Sequence, residues 1–218
     1  MKNELLTPDM AEERVWIAEA VHARWQAESR SRYLAEESSA KVLHQYATTL
    51  PDLLQTRAYA REVIAADPES PSVEAWIDLR VAERVDRQDV LFREPAPEVR
   101  VILDESALRR PTADPKVWRD QLCHLTSCVD LNLVVLQVLP LRAGLHGLPD
   151  GALTLLWQGH GGALAWQETR VGGELTEAPE KFLRLRLAFE RVRDLALTPG
   201  ASKELIERLA RAAEEAAR

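Results

Sequence analysis

The first 143 residues of this 218-residue chain contain no glycine, and all nine glycines lie at or after Gly144. That long segment has to turn on proline and polar residues, which fits helices joined at proline-marked breaks and excludes tight glycine hairpins. Cysteine is scarce as well. Cys123 and Cys128 stand five apart in a helical pattern, and five residues turn a helix by about 500°. Their thiols face different ways, so they make a poor disulfide pair and an incomplete metal set; two buried, reduced thiols are expected. No run of about 18 apolar residues is available to cross a membrane. The N-terminal MKNELLTPDMAEERVWIAEAV scatters acidic residues where a signal peptide needs an apolar stretch, so the cytoplasm is the expected compartment. A basic excess is missing too. Lys and Arg number 28 against 35 Asp and Glu, a formal net charge of −7, whereas a domain that wraps nucleic acid by itself usually carries a basic face. HExxH, His–x–His, a phosphate loop, a GxGxxG after a strand and GxSxG are all absent. Zinc, nucleotide and common hydrolase chemistry are disfavoured, and no metal and no cofactor is expected.

What is present reads as alternating helix and strand. Hydrophobic residues make up 46% and charged residues 29%, an ordinary globular mixture with enough apolar material for a core. Thr7 and Pro8 open a first helix that carries an apolar stripe from Val15 and Trp16 to Val21 and Trp25 and runs to about Glu36. KVLHQYATTLP is a short extended segment. TRAYAREVIAA and SPSVEAWIDLRVAERVDRQDVLF are helices, the second capped by Ser70 or Ser72 and burying Trp76, Ile77 and Val81. VRVILDE is a strand and SALRR a turn; Asp114 caps a further helix with Pro115 at its first position. NLVVLQVLP reads as a central strand buried on both sides, and ALTLLWQ and ALAWQET as a hairpin joined by GHGG. TRVGGELTEAP is expected to be a loop, and two helices broken at TPGAS complete the chain. The sum is an α+β fold: a small mixed sheet of about four or five strands covered by helices, with long N-terminal and C-terminal helices.

Five stretches add a resemblance. LLQTRAYAREVI, RVAERVDRQDVL, ILDESALRR, VLQVLPLRAGLHGLPDGALTLL and LALTPGASKELI, in that order between Tyr46 and Leu209, resemble the C-terminal domain of unknown function of actinobacterial XRE-type helix-turn-helix regulators. In that family the domain follows a DNA-binding domain. Only about 45 residues precede the resemblance here, and they read as one helix and an extended piece, without the paired helices of a helix-turn-helix. The organisation so implied is an N-terminal helical extension over 1–45, a regulator-type ligand- or partner-binding domain over 46–212 and a helical tail over 213–218. The resemblance further implies a stand-alone sensing or interaction module without its own DNA-binding head. Its partner would be a small organic ligand or a small companion protein, with no direct nucleic acid contact by this chain alone and no membrane, and a possible homodimer. The alternative is a cofactor-independent biosynthetic enzyme of secondary metabolism that re-uses the same pocket for a cyclisation or rearrangement, a step that needs mostly shape and a few placed polar groups.

The candidate site residues follow from their places along the chain. Asp104 and Glu105 end a strand, where loop carboxylates often act. Neighbours on one chain point to opposite sides, however, so helix capping by Asp104 competes with an acid–base role. Arg109 and Arg110 either pair with these acids or bind an anion. His146 lies between Gly144 and Gly147 in a loop suited to a ligand mouth, or it only ties that loop together. Arg84, Arg87 and Gln88, with Arg80 and Glu83, share a helix face that is either solvated or lines a cleft opposite His146 and Glu105. Trp157 and Trp166 sit in the core or floor an apolar pocket rimmed by Gln158, Gln167 or Glu168. If a reaction is catalysed, His146 and Glu105 are its best candidates.

Overall fold

The structure, a computed structural model, describes residues 27–67, 73–148, 151–169 and 172–216. The cap at Thr7 and Pro8, the stripe containing Trp16 and Trp25, and the caps Ser70 and Ser72 lie outside the described residues.

β1 (Val42–Ala47) pairs in parallel with β2 (Glu98–Asp104), and β2 in parallel with β3 (Val135–Leu139). On its other side β1 meets β4 (Ala152–Trp157) antiparallel, followed by β5 (Ala163–Thr169) and β6 (Gly172–Thr176) as an antiparallel meander. The sheet order is β3-β2-β1-β4-β5-β6. Helix α1 covers 27–39; α2 (Arg57–Ala65) and α3 (Glu74–Asp86) carry the chain from β1 to β2, and α4 (Pro115–Asp130) carries it from β2 to β3. α5 (Pro179–Leu195) and α6 (Pro199–Ala216) follow the meander. The fold is α+β, as the alternation of patterns predicts, with six helices and a six-stranded mixed sheet among the described residues.

Side chains two apart on a strand share a face, and this divides the core. Leu43 and Ala47 of β1, Val101 and Leu103 of β2 and Leu136 and Val138 of β3 pack with Leu122 and Leu125 of α4 and Ile206 of α6. Tyr33 of α1 and Leu54, just after β1, join the same cluster. Tyr46, Ile102, Leu139 and Leu155 face the other way, against Phe182, Phe189 and Val192 of α5. His44 shares that second face. Its ring stacks 5.4 Å from Phe189 and lies edge-on 4.9 Å from Trp157.

Burial of His44, with the Arg100 charge second, holds its pKa below 6.5. Above that pH neither the folded nor the unfolded chain is protonated there. As the pH falls through it, the unfolded chain takes up the proton first, so the fold loses stability until the lower folded pKa is reached. His44→Phe is therefore expected to flatten this part of the stability profile, read as urea midpoints along an acidic pH series. An unchanged slope would place the titration elsewhere.

Three sequence expectations need correction. Among the described residues the sheet has six strands, because the GGELT segment read as a loop is β6. Its glycines mimic a turn signal, but a Cβ at Gly173 would run into the indole of Trp166; glycine there lets β6 pass beside a large ring. β3 is buried on both faces as expected, yet it is the edge of the sheet and the more polar β1 lies inside. The free edge of β3 is closed by the approach to α6: Leu197 N–H donates to Val138 O at 2.8 Å, and Val138 N–H to Ser202 Oγ at 2.8 Å. An edge so satisfied can be as apolar as an interior strand. Finally, both cysteines are free, but Cys128 alone is buried and Cys123 is exposed. Among the described residues no helix is long and apolar enough to cross a membrane.

Candidate functional site

The parallel strands β1 and β2 end side by side, and their last residues on the α5 face are Tyr46 and Asp104. Ligands of sheets with parallel strands tend to lie outside such carboxyl ends. Asp104 Oδ1 accepts the Ser106 N–H at 2.8 Å and so caps the 3-10 turn Glu105–Arg109. Its Oδ2 lies 3.5 Å from Tyr46 Oη, and His146 Nε2 lies 3.3 Å from the same hydroxyl. The direction of this chain follows from His146 Nδ1, which accepts the Leu148 N–H at 3.2 Å. A backbone N–H can only donate, so Nδ1 carries the lone pair and Nε2 the proton. His146 then donates to Tyr46, and Tyr46 donates to Asp104. Burial first, then the Asp104 charge and its hydrogen bond, push the Tyr46 phenol well above its usual range. Tyr46 is a hydroxyl donor here, not a phenolate.

A cavity of about 350 Å³ opens over these groups, lined by Tyr46, Thr48, Thr49, Asp104, Ser106, Arg110 and His146. Of the residues singled out in the sequence, Asp104, Arg110 and His146 meet here. Glu105 turns away. It accepts from Arg109 Nε at 3.1 Å and from the Leu141 N–H at 3.0 Å, tying the 3-10 turn to the segment after β3. Partial burial pushes its carboxyl up, but the Arg109 hydrogen bond and the Leu141 N–H outweigh this and hold it below the usual range. Glu105 and Arg109 are thus committed to each other. Tyr46, Thr48, Thr49 and Ser106 were not foreseen. The sequence signal for Thr48 and Thr49 is a pair of hydroxyls just after a strand and before Pro51.

Arg84, Arg87 and Gln88 lie elsewhere, against α1 and the β1–α2 connection. Arg87 Nη2 donates to Glu37 Oε2 at 2.8 Å and Nη1 to Asp52 Oδ2 at 3.0 Å. Arg84 Nη1 reaches Gln55 Oε1 at 3.0 Å, and Gln88 Nε2 reaches the carbonyls of Asp52 and Gln55 at 3.1 and 2.7 Å. Tyr33 hydrogen-bonds the Glu37 carboxylate. Burial opposes the Arg87 charge, but Glu37 and Asp52 more than restore it. A cavity of about 400 Å³ beside this network is lined by Arg30, Arg80, Arg84, Arg87, Trp76 and Asp52 among others. Neither Asp104 nor His146 lines it, so the arginine face and the His146 loop do not share a described cleft.

The hairpin residues also go their own ways. Trp166 is core, stacked 5.0 Å from Tyr33 at 12° between planes. Trp157 is half-buried between His44 and Phe182, with the Arg186 guanidinium 6.0 Å from its ring centre. Neither indole lines the cavity beside the hairpin, which includes Gln158, His160 and Phe182. Glu168 pairs with Arg30 at 3.0 Å. Among the described residues no group of three or more His, Cys, Asp or Glu could hold a metal ion.

The family model described as domain of unknown function DUF5753 matches residues 30–208. That span takes in most of α1, the whole sheet and the strand-end cavity. No curated protein and no solved structure matches the chain.

Proposed function

The chain belongs to the DUF5753 family, a domain of unknown function, and we propose that it is a regulator-related binding module that holds a small polar ligand at the carboxyl ends of β1 and β2. The observation that carries this reading is how the titratable groups of the cavity are committed. Tyr46 keeps its proton, His146 uses one ring nitrogen on Leu148 and the other on Tyr46, and Asp104 uses one oxygen on the Ser106 N–H. A general base needs a free lone pair facing the substrate; the His146 lone pair is spent on the Leu148 N–H, and the acceptor sites left on Asp104 suit a ligand donor. The hydroxyls of Thr48, Thr49 and Ser106 and the Arg110 guanidinium complete a wall suited to hydrogen-bonded recognition.

The enzyme reading rests on one feature, the His146–Tyr46–Asp104 chain, which links a loop imidazole to a carboxylate. Thermal-shift screening of polar metabolites, with mass spectrometry of each stabilising compound after incubation, separates the two. The expected result is stabilisation by ligand with the compound recovered unchanged. Tyr46→Phe and His146→Ala are each expected to weaken a hit by about tenfold, the worth of one net hydrogen bond. Conversion of a hit into a new compound, lost in His146→Ala, would replace the binding reading with the enzyme.

A further inference from the structure

We infer that the strand-end cavity takes a hydroxylated monocarboxylate of sugar size, its carboxylate on Arg110 and a hydroxyl on Asp104. This rests on the binding reading above and names the ligand class for it.

Two consecutive arginines carry the first half. Arg109 spends Nε and Nη2 on the Glu105 carboxylate. Arg110 lines the cavity and, among the described residues, makes no ion pair or side-chain hydrogen bond. Its backbone ends a 3-10 turn whose start is capped by Asp104, and Pro111 follows it. The guanidinium is therefore hung from a short, fixed turn at the rim, with its planar fork available. That fork matches a carboxylate through two parallel hydrogen bonds. Thr49 and Ser106 line the same cavity with hydroxyls that bond no described side chain or carbonyl, and the Thr48 hydroxyl has a 3.5 Å contact with Gly151 O. Each can turn to donate to an oxyanion or accept from a ligand hydroxyl.

The second half comes from Asp104. A carboxylate has about four acceptor sites, and this one serves the Ser106 N–H and, at 3.5 Å, the Tyr46 hydroxyl. A donor on the ligand completes it. The same charge works against a phosphate dianion: among the described residues one guanidinium faces one carboxylate in this cavity, and no lysine lines it. A dianion would meet repulsion that a single negative charge held on Arg110 largely avoids. A volume of about 350 Å³ is at the small end for ligand sites, which suits a sugar-sized molecule.

Calorimetric titration of the full chain at low salt with D-glucuronate, D-glucose and D-glucose 6-phosphate tests this. Glucuronate is expected to bind at least about tenfold tighter than either of the others. Arg110→Gln, at an exposed position, is expected to weaken glucuronate by about 10- to 100-fold, the range for a charge-assisted fork, and to leave glucose unchanged. Equal binding of glucose and glucuronate, or an Arg110→Gln protein that keeps its glucuronate affinity, overturns the carboxylate assignment. Tighter binding of glucose 6-phosphate overturns it in favour of a phosphate. Failure of all three probes to bind overturns the ligand class, while the metabolite screen separately decides whether the chain is a binding module.

Discussion

Arg87→Ala is expected to lower the unfolding free energy by roughly 3–5 kcal/mol, the usual cost of removing one partner of a buried ion pair. The Glu37 side chain is 4% exposed and that of Arg87 22%, so neither charge is screened by water as a surface pair would be. Removing the guanidinium takes away both donors to Glu37 and the one to Asp52 at once. What remains is a buried carboxylate whose partner is the Tyr33 hydroxyl. The penalty is therefore mostly that of an uncompensated charge. A second variant isolates this: Arg87→Met combined with Glu37→Leu removes both charges and keeps apolar volume. Its loss is expected to fall well below the sum of the two single changes. Urea unfolding at neutral pH compares the wild type, Arg87→Ala, Arg87→Met, Glu37→Leu and the double variant. A loss under about 1 kcal/mol for Arg87→Ala would mean that the pair behaves as a solvated one.

Trp166→Ala is expected to cost about 3–5 kcal/mol, the range for removing a large aromatic from a packed core. The ring is 2% exposed, stacked on Tyr33 from α1 and met from the β6 side by Gly173. One side chain thus joins the first helix, the hairpin and the last strand. The same packing makes Gly173 intolerant of growth. Gly173→Ala would place a methyl on the indole and is expected to destabilise by about 1–3 kcal/mol, as overpacking does. In a Trp166→Leu background, where the ring is gone, that cost is expected to shrink. An equal cost in both backgrounds would assign it to the strand backbone instead.

These two sites also show what the sequence reveals and what it hides. Local signals are legible. Asp114 and Pro115 start α4 where capping chemistry places them, with the Asp114 side chain accepting the Lys116 N–H, and GHGG joins β4 to β5 as a hairpin. Long-range pairing is not. The apolar run of β3 reads as central because burial, not position, selects its residues, and its edge is closed by Leu197 and Ser202 some 60 residues away. The glycine pair of β6 reads as a loop because the place of Gly173 is set by Trp166 on a neighbouring strand.

The candidate site divides in the same way. Asp104 and His146 are legible because a strand end and a glycine-flanked loop are where working side chains are found. Their link, Tyr46, is hidden inside KVLHQYA, and it lies 100 residues from His146 along the chain. Arg84 and Arg87 are visible as a helix face, but their partners Glu37 and Asp52 are fixed only by the tertiary fold, with Glu37 50 residues from Arg87. A polar stripe on one helix looks solvated until the opposing acids are known.

On the proposed function, this chain holds its ligand in the cavity over Tyr46, Asp104 and His146. Chemical-shift mapping of the isotope-labelled protein, titrated with the most strongly stabilising compound from the metabolite screen, locates the bound ligand. The expected shifts gather on the amides of Thr48, Thr49, Ser106, Arg110 and His146. Shifts centred on Trp76, Arg80 and Arg84, with the strand ends unmoved, would contradict it.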